Sequence, residues 1–361
     1  MEKINYAVTI NESITDGIKK IFGILKSSSF LSYFFYFCHS IYWQKKAMRL
    51  RGYWYKEGIK VPPLMIASIT ERCNLKCKGC YAQIHKKKRD SEISKEHWLN
   101  IFNEARSLGI SFIILAGGEP FLKPEILEHT KSFPEIIFLV FTNGQLIDQE
   151  QINRLKKQKN LIPVISIEGS EKETDSRRGK GVYKEIKRVI EDLNKNNIYF
   201  GTSATVTIKN FNTLTDKDYI KDLVDHECKL FFFLEYIPTE KYTEYLVIDN
   251  TQRKKLLSLM ASFESKYPGI FITFPGNEDK FGGCLSAGRG FVHVSPGGDL
   301  EPCPVAPYSD KNLKSISLKD ALSSDLLRQI REDTEYRSDT SKGCVLWNNR
   351  HWVESLLEYE V

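Results

Sequence analysis

The 361-residue sequence shows no cleavable signal pattern and no apolar run long enough to span a membrane. It opens MEKINYAVTINESITDG, without the basic n-region and apolar h-region of a cleavable signal peptide. Its most apolar stretch, Phe30 to Trp43, is interrupted by Ser and His and is too short to span a bilayer. We therefore expect a cytoplasmic protein whose eight cysteines are thiols or metal ligands rather than disulfides.

The body of the chain also lacks net charge. Residues 1–62 hold ten Lys and Arg against four Asp and Glu, which leaves 42 of each sign in the other 299 residues. A nucleic-acid-binding protein would spread basic residues over a folded surface, so we expect no nucleic-acid partner. The chain has no internal repeat and no low-complexity tract.

The basic, aromatic N-terminal segment, residues 1–62, has two interpretations. Its aromatic stretch followed by QKKAMRLRGYWYKEG suits an amphipathic helix on an anionic membrane surface, with peripheral membrane contact through residues 20–60. The same pattern suits a helix whose aromatic face packs on the main domain while its lysines remain solvated. Pro62 and Pro63 then mark the entry to the next domain.

Beyond Pro63 the sequence alternates between strand-like and helix-like stretches. One predicted helix begins after Ser94, which is a typical N-cap residue, and ends at Gly109. Six β-α steps predict an α/β fold with a parallel sheet or partial barrel, in which chemistry gathers at the carboxyl ends of the strands. The predicted strands are residues 64–70, 111–118, 136–144, 161–169, 199–208 and 229–238.

Three cysteines follow the first predicted strand in ERCNLKCKGCYAQ. Cys73, Cys77 and Cys80 have the spacing C-x3-C-x2-C. Structural zinc takes four ligands, which His85 could complete. A four-iron cluster held by three thiolates would instead leave one iron open to a ligand from outside the protein. From spacing alone, zinc and iron–sulfur both stay open.

The run CNLKCKGCY resembles the cluster motif of the radical S-adenosylmethionine (SAM) superfamily. Further stretches follow in register to about residue 240: GGEP (117–120), FTNG (141–144), SIEG (166–169), DSRRG (175–179), SATV (203–206) and FLEYIP (233–238). The resemblance implies a partial (β/α)6 TIM-like barrel over residues 63–240. It also implies that Cys73, Cys77 and Cys80 hold a [4Fe–4S] cluster whose open iron is chelated by the amino and carboxylate groups of S-adenosyl-L-methionine.

The activity that this resemblance implies is reductive cleavage of the sulfonium cofactor. The 5′-deoxyadenosyl radical so formed would remove a hydrogen atom from the substrate, while the protein orients the cofactor and excludes water. A reductant such as flavodoxin or ferredoxin would supply the electron.

The resemblance also assigns cofactor-binding residues at the strand ends. Glu119 and the GGEP backbone would receive the methionine amino group, where the glycine pair lets backbone groups approach the cofactor. Tyr81 would lie near the adenine, and Ser166 and Glu168 near the ribose. Arg178, or its neighbour Arg177, would bind the carboxylate. The full cofactor set is Tyr81, Gly117, Gly118, Glu119, Pro120, Thr142, Asn143, Ser166, Glu168, Arg178 and Thr205, and Glu235 is the candidate for a further catalytic role.

Residues 241–361 carry a second cysteine triad in a stretch rich in Gly and Pro, with a hairpin predicted across SPGGDL. The run GCLSAGRGFVHVSPGGDLEPCP and a later KGC resemble the auxiliary-cluster extensions called SPASM and twitch. This resemblance implies a small C-terminal domain in which Cys284, Cys303 and Cys344 hold a second iron–sulfur cluster. Because only Cys38 and Cys228 remain, the full two-cluster SPASM set cannot be filled.

The fourth iron of such a cluster would take substrate, water or a side chain, and His293 and His351 are nearby in sequence. The alternatives are a zinc site or free thiols.

Three functions are therefore in competition. The first is radical chemistry on a peptide or protein side chain, with the auxiliary cluster assisting oxidation or substrate binding. The second is radical chemistry on a lipid or other membrane-associated metabolite, which would give the N-terminal segment a purpose. The third is a zinc-stabilised binding protein without catalysis.

Overall fold

The computed structural model describes residues 42–85, 92–276, 278–338 and 343–358. Most of the aromatic stretch from Phe30 to Trp43 therefore lies outside the described residues, as does Cys38. Within the described ranges, no helix is both long enough and apolar enough to cross a bilayer.

One nine-stranded sheet organises the fold. Its strands are β1 (Leu64–Thr70), β2 (Phe112–Gly117), β3 (Ile137–Thr142), β4 (Leu161–Ser166), β5 (Gly201–Val206), β6 (Leu230–Glu235), β7 (Ile270–Phe274), β8 (Phe291–Val294) and β9 (Leu300–Glu301). Their order is β7-β6-β5-β4-β3-β2-β1-β8-β9, and every neighbouring pair except β8–β9 is parallel. The six predicted strands all form, and the sheet curls into the expected half-barrel.

Helices alternate with the strands and follow them along the described part of the chain. They are α1 (Gln44–Lys56), α2 (Tyr81–Ile84), α3 (Lys95–Leu108), α4 (Pro124–His129), α5 (Gln149–Lys157), α6 (Glu171–Arg178), α7 (Val182–Lys195), α8 (Phe211–Leu214), α9 (Lys217–Asp225), α10 (Asn250–Lys266), α11 (Leu318–Ala321), α12 (Asp325–Glu332), α13 (Thr334–Ser338), α14 (Val345–Asn348) and α15 (Arg350–Glu358). Apolar side chains of helices and strands form the main core between them.

Helix α3 forms as its sequence predicts. The Ser94 side chain accepts a hydrogen bond from the His97 N–H and so caps the first turn, and Gly109 ends the helix in the left-handed conformation. The helix buries one apolar face, made of Trp98, Ile101, Phe102, Ala105 and Leu108. Helical periodicity therefore locates both the ends and the buried face of this element.

The opposite, concave face of the sheet carries a second apolar cluster: Ile137, Ile162, Val164, Leu230 and Phe232. Residues alternate between the two faces along each strand, so Ile162, Val164 and Ser166 share the concave side. Polar side chains at the carboxyl ends of the strands therefore lie beyond this apolar floor.

The alternation of helices and parallel strands continues past residue 240, with one more helix and one more strand than the sequence indicates. Helix α10 leads into β7, which pairs with β6, and Phe231 stacks on Phe271 with ring centroids 4.4 Å apart. At the other edge, β8 pairs with β1, and the predicted hairpin across SPGGDL is confirmed by the β8–β9 pairing. The C-terminal residues thus extend both edges of the barrel sheet.

Phe102→Ala tests the packing of α3. The Phe102 ring is fully buried against Trp98, Phe133 and Phe138, so truncation leaves a cavity in the main core. We expect the free energy of unfolding, measured by urea denaturation, to fall by about 3–5 kcal/mol. Asn100→Ala, at an exposed position of the same helix, is the control and should change it by less than about 0.5 kcal/mol.

Candidate functional site

Two backbone hydrogen bonds join the loop after β1 to the loop after β2. The Gly118 N–H donates to the Thr70 carbonyl at 2.7 Å, and the Glu119 N–H donates to the Arg72 carbonyl at 2.8 Å. A Cβ atom on Gly117, which has φ +109°, would lie 2.4 Å from the Thr70 oxygen, and one on Gly118 would lie 2.0 Å from the Arg72 oxygen. The glycine pair therefore allows the loop after β1, which carries Cys73, Cys77 and Cys80 and is called the cysteine loop below, to approach the GGEP loop after β2. The sequence did not reveal this role.

The Glu119 carboxylate, 1% exposed, holds the carboxyl end of β3 by hydrogen bonds. Its Oε1 accepts from the Phe121 N–H at 3.0 Å and the Thr142 hydroxyl at 2.8 Å, and its Oε2 accepts from the Asn143 N–H at 2.8 Å. Burial raises the pKa of Glu119, although these donors oppose the rise. Because Oε2 has received a single donor, it retains capacity for one more, such as an ammonium group.

Cys73 is surrounded by hydrogen-bond donors. The Leu75 N–H lies 3.4 Å from its sulfur, and Nδ2 of Asn143 lies 3.8 Å from the sulfur and 2.8 Å from Oδ1 of Asn74. Donors directed at a sulfur favour its thiolate form, which is the form that coordinates iron. The residues around Cys73 therefore suit an iron–sulfur ligand.

Cys77 lies beside two arginines. The Lys78 N–H donates to the Arg177 carbonyl at 2.9 Å, which pins the cysteine loop to α6. Burial raises the pKa of Cys77, while the positive charges of Arg178 and Arg177 oppose the rise. The two arginines therefore offset part of the cost that burial imposes on a thiolate at Cys77.

Both arginines are held by Glu168, which is 1% exposed. Its Oε1 accepts from Nη1 of Arg177 at 2.5 Å and from Nε and Nη2 of Arg178 at 2.9 and 2.5 Å. Its Oε2 accepts from the Thr205 N–H at 2.9 Å. Burial opposes ionisation, but the two guanidinium groups and these hydrogen bonds keep the pKa of Glu168 below its usual value. Glu168, expected near the ribose, thus positions both candidate arginines.

Tyr81 begins α2 directly after Cys80, and its ring lines a recess shared with residues of β8 and β9. Burial raises the pKa of Tyr81, and the charges of Cys80, Cys303 and Glu301 raise it further. Tyr81, expected near the adenine, therefore lies within electrostatic range of both cysteine groups. Ser166, the residue expected at the ribose, contacts the Ser203 hydroxyl at 3.1 Å.

The second triad is assembled from three separate segments. The Ala287 N–H donates to the Pro302 carbonyl at 3.0 Å, which joins the Cys284 loop to the Cys303 loop. Burial raises the pKa of Cys303 well above its usual value, and the charges of Cys344 and Cys284 add to the rise. The three sulfurs are thus electrostatic neighbours.

Two carboxylates accompany this triad. Burial raises the pKa of Cys284, Cys303 and Cys344, the last to about 12, and Glu278 raises it further in all three. Glu278, 5% exposed, gave no signal in the sequence. Glu235 is ion-paired with Arg253, whose Nε lies 2.8 Å from its Oε2, so the candidate catalytic carboxylate is already engaged.

Neither histidine near the second triad is presented as a ligand. Nε2 of His293 lies 2.8 Å from the Ser68 hydroxyl, and its Nδ1 lies 2.8 Å from the Glu301 carboxylate, so both ring nitrogens are engaged. The His351 side chain is 82% exposed, and its Nδ1 lies 3.3 Å from Glu354. Sequence proximity was misleading here because the strand directs His293 toward β1.

Across residues 42–85, 92–276, 278–338 and 343–358, no three or more His, Cys, Asp or Glu side chains are grouped to hold a single metal ion. The closed zinc site that His85 could have completed is therefore not assembled among these residues. A four-iron cluster has a different requirement, because each thiolate binds a separate iron.

Gly118→Ala tests the contact between the two loops. The added Cβ would collide with the Arg72 backbone, so the cysteine loop must move and iron binding should fall to less than half. Iron and acid-labile sulfide are measured after anaerobic reconstitution, with circular dichroism as the check on folding. Gly52→Ala, in a helix with nothing within 4 Å of the new Cβ, is the matched control and should bind iron normally.

A family model described as the Radical SAM superfamily matches residues 67–224. The chain is similar to the Fe-coproporphyrin III synthase of Methanosarcina barkeri, with 30% identity over 168 residues covering 46% of this chain and 41% of that protein. It is similar to the AdoMet-dependent heme synthase of the same organism, with 25% identity covering 76% of this chain and 86% of that protein. It is also similar to the antilisterial bacteriocin subtilosin biosynthesis protein AlbA of Bacillus subtilis, with 26% identity covering 73% and 60%.

Among solved structures, the fold is similar to that of SuiB from Streptococcus suis. SuiB bound to the precursor peptide SuiA superposes with a TM-score of 0.63 at 20% identity, covering 80% of this chain and 70% of SuiB. SuiB bound to S-adenosylmethionine gives a TM-score of 0.64 at 19% identity, covering 84% and 76%. The half-barrel, the cysteine loop at its first strand and the family match agree: residues 67–224 of this chain form a domain of the radical SAM superfamily.

Proposed function

We propose that this enzyme modifies a peptide or protein side chain, using one cluster bound by the loop after β1 and an auxiliary cluster bound by the C-terminal triad. The observation that carries this proposal is the arrangement of two cysteine triads around one half-barrel. Tyr81 directly follows Cys80, and the charge of Cys303 contributes to the raised pKa of the Tyr81 hydroxyl. A substrate group between the two loops would be within reach of both.

In this proposal Cys73, Cys77 and Cys80 hold a [4Fe–4S] cluster. When bound, the cluster and S-adenosyl-L-methionine together supply a 5′-deoxyadenosyl radical that removes a hydrogen atom from the substrate. The chain must hold the cysteine loop still, which the hydrogen bonds of Gly118 and Glu119 do, and must keep the sulfurs ionised. The Leu75 N–H near Cys73 and the two arginines of α6 near Cys77 favour the ionised sulfur and oppose the rise in pKa that burial causes.

The cofactor-binding residues would act through charge. Oε2 of Glu119, with one acceptor position remaining, would take the methionine ammonium group. Arg178, with Arg177 beside it, would pair with the methionine carboxylate while Glu168 holds both guanidinium groups in place. The two guanidinium groups carry two positive charges and the Glu168 carboxylate carries one negative charge, so one excess positive charge favours binding of an anion.

The auxiliary cluster is proposed from the C-terminal triad. Its thiols are buried and have raised pKa values, so they ionise only where a metal centre compensates the charge. An iron–sulfur centre there would accept an electron from the substrate or bind it directly. The bent backbone that presents these cysteines, with Ala287 at φ +54° and Gly288 at φ +83°, suits a loop folded around a metal.

A peptide is the favoured substrate because SuiB binds the peptide SuiA and AlbA acts in bacteriocin biosynthesis, and this chain resembles both over most of its length. The lipid alternative depended on the N-terminal segment, of which residues 1–41 lie outside the described part of the chain. No contact among the described residues favours it.

Cys77→Ala tests the radical chemistry. Loss of one thiolate should abolish release of 5′-deoxyadenosine by the reduced, reconstituted enzyme and leave the circular dichroism spectrum unchanged. In cells, a peptide whose mass changes with the wild-type gene should keep its original mass with the variant. Cys228→Ala, at a buried thiol of the main core, is the control and should retain both activities. Undiminished 5′-deoxyadenosine release by Cys77→Ala would contradict the proposal.

Cys303→Ser tests the auxiliary cluster. The wild-type chain should bind about eight irons and eight sulfides, as two cubanes require, and Cys303→Ser should retain about four. The first site should still release 5′-deoxyadenosine, because its three cysteines are unchanged. A wild-type chain with about four irons, or with zinc bound by the C-terminal triad, would refute the second cluster.

A further inference from the structure

A buried histidine on β8 links two strands of the half-barrel by hydrogen bonds. Nε2 of His293 lies 2.8 Å from Oγ of Ser68 on β1, and Nδ1 lies 2.8 Å from Oε2 of Glu301 on β9. All three side chains are at least 96% buried in the fold: their exposed fractions are 4% for Ser68 and His293 and 1% for Glu301. The order hydroxyl, imidazole, carboxylate is the arrangement by which proteins move a proton from a hydroxyl to a ring nitrogen.

The sheet itself sets this alignment. His293 pairs with Ile66 of β1 on one side and with Glu301 of β9 on the other, and Ser68 lies two residues further along β1 on the same face as Ile66. The three side chains therefore lie on the same, concave side of the sheet. Rigid strands, rather than loops, hold the proton path.

The same three residues line a recess between the two cysteine loops. Tyr81, which follows Cys80, forms one wall, and Pro304, which follows Cys303, forms another. A group bound in this recess would lie beside the loop that holds the first cluster and beside the loop proposed to hold the second.

The chemistry of the three groups gives the path a direction. Nδ1 of His293 faces the Glu301 carboxylate, which accepts hydrogen bonds, so a hydrogen on Nδ1 leaves Nε2 as the acceptor for the Ser68 hydroxyl. When a bound group donates a proton to Ser68 Oγ, the serine can pass its own proton to Nε2. The imidazolium that forms is stabilised by the Glu301 carboxylate.

We propose that Ser68, His293 and Glu301 form the proton acceptor for the substrate in this recess. The inference rests on the proposed function. Once a substrate has lost a hydrogen atom, its two-electron oxidation would be completed by loss of one electron to an iron–sulfur oxidant and of one proton to His293 through Ser68. A new double bond or a bond to a neighbouring heteroatom then forms within the substrate.

The test separates this role from a purely structural one. Holoenzymes with His293→Gln and Ser68→Ala are each mixed anaerobically with S-adenosylmethionine, reductant and the peptide pool from cells that carry the Cys77→Ala gene. Glutamine retains hydrogen bonding but cannot take a proton. We expect His293→Gln to bind iron and to release 5′-deoxyadenosine in the first turnover as the wild type does, while product falls by about 100-fold or more. Ser68→Ala should lose product less severely.

Freeze-quenched samples supply a readout besides product. Blocking the proton transfer should trap the substrate radical, so an organic radical signal should appear in His293→Gln and be absent from the wild type. Imidazole added to His293→Gly should restore product, and His129→Gln, at a surface histidine bonded to its own helix, is the control.

Three results would overturn the proposal. His293→Gln could form product at the wild-type rate. Iron, 5′-deoxyadenosine and product could fall together without a radical signal and without rescue by imidazole, which would make the contact structural. A wild-type enzyme that releases no 5′-deoxyadenosine would refute the proposed function and this inference with it.

Discussion

The approach of two loops at the carboxyl ends of β1 and β2 is the constraint on which the site depends. Their backbones come close enough for two hydrogen bonds only because Gly117 and Gly118 carry no side chain. This contact fixes the cysteine loop, and the next residue, Glu119, extends the connection to β3 through Thr142 and Asn143. Asn143 in turn donates to Cys73. The loops at the carboxyl ends of β1, β2 and β3 are therefore joined in one hydrogen-bond network.

A single sheet also relates the two cysteine groups. Strand β8 pairs with β1, and Cys303 follows β9, so one edge of the second group is built directly on the first strand of the barrel. At the far side, a Cβ on Gly343, next to Cys344, would lie 2.9 Å from Oε1 of Glu235 at the end of β6. The C-terminal segments therefore reach both sides of the half-barrel opening, and His293 connects them to β1 in the interior.

Sequence patterns predicted the strands and the α3 boundaries because these depend on local periodicity and capping. The cysteine loop was recognisable because its three thiols are close in sequence. Contacts made across the sheet were not accessible in the same way: Glu168 was expected at the ribose, but its arginine partners are set by the fold of α6, and the strand direction of His293 excluded it as a ligand. Glu278 and the Ser68–His293–Glu301 path carry no motif. A polar residue within apolar FVHV was the one available signal.

The central claim is that the loop after β1 binds a cluster with one iron open to S-adenosylmethionine. Electron paramagnetic resonance of the reduced protein tests it most directly, using a variant in which Cys284, Cys303 and Cys344 are all replaced so that only the first cluster contributes. We expect that adding S-adenosylmethionine changes the g values of the cluster signal, because the cofactor becomes an iron ligand. A cluster signal that S-adenosylmethionine leaves unchanged at saturating concentration would contradict it.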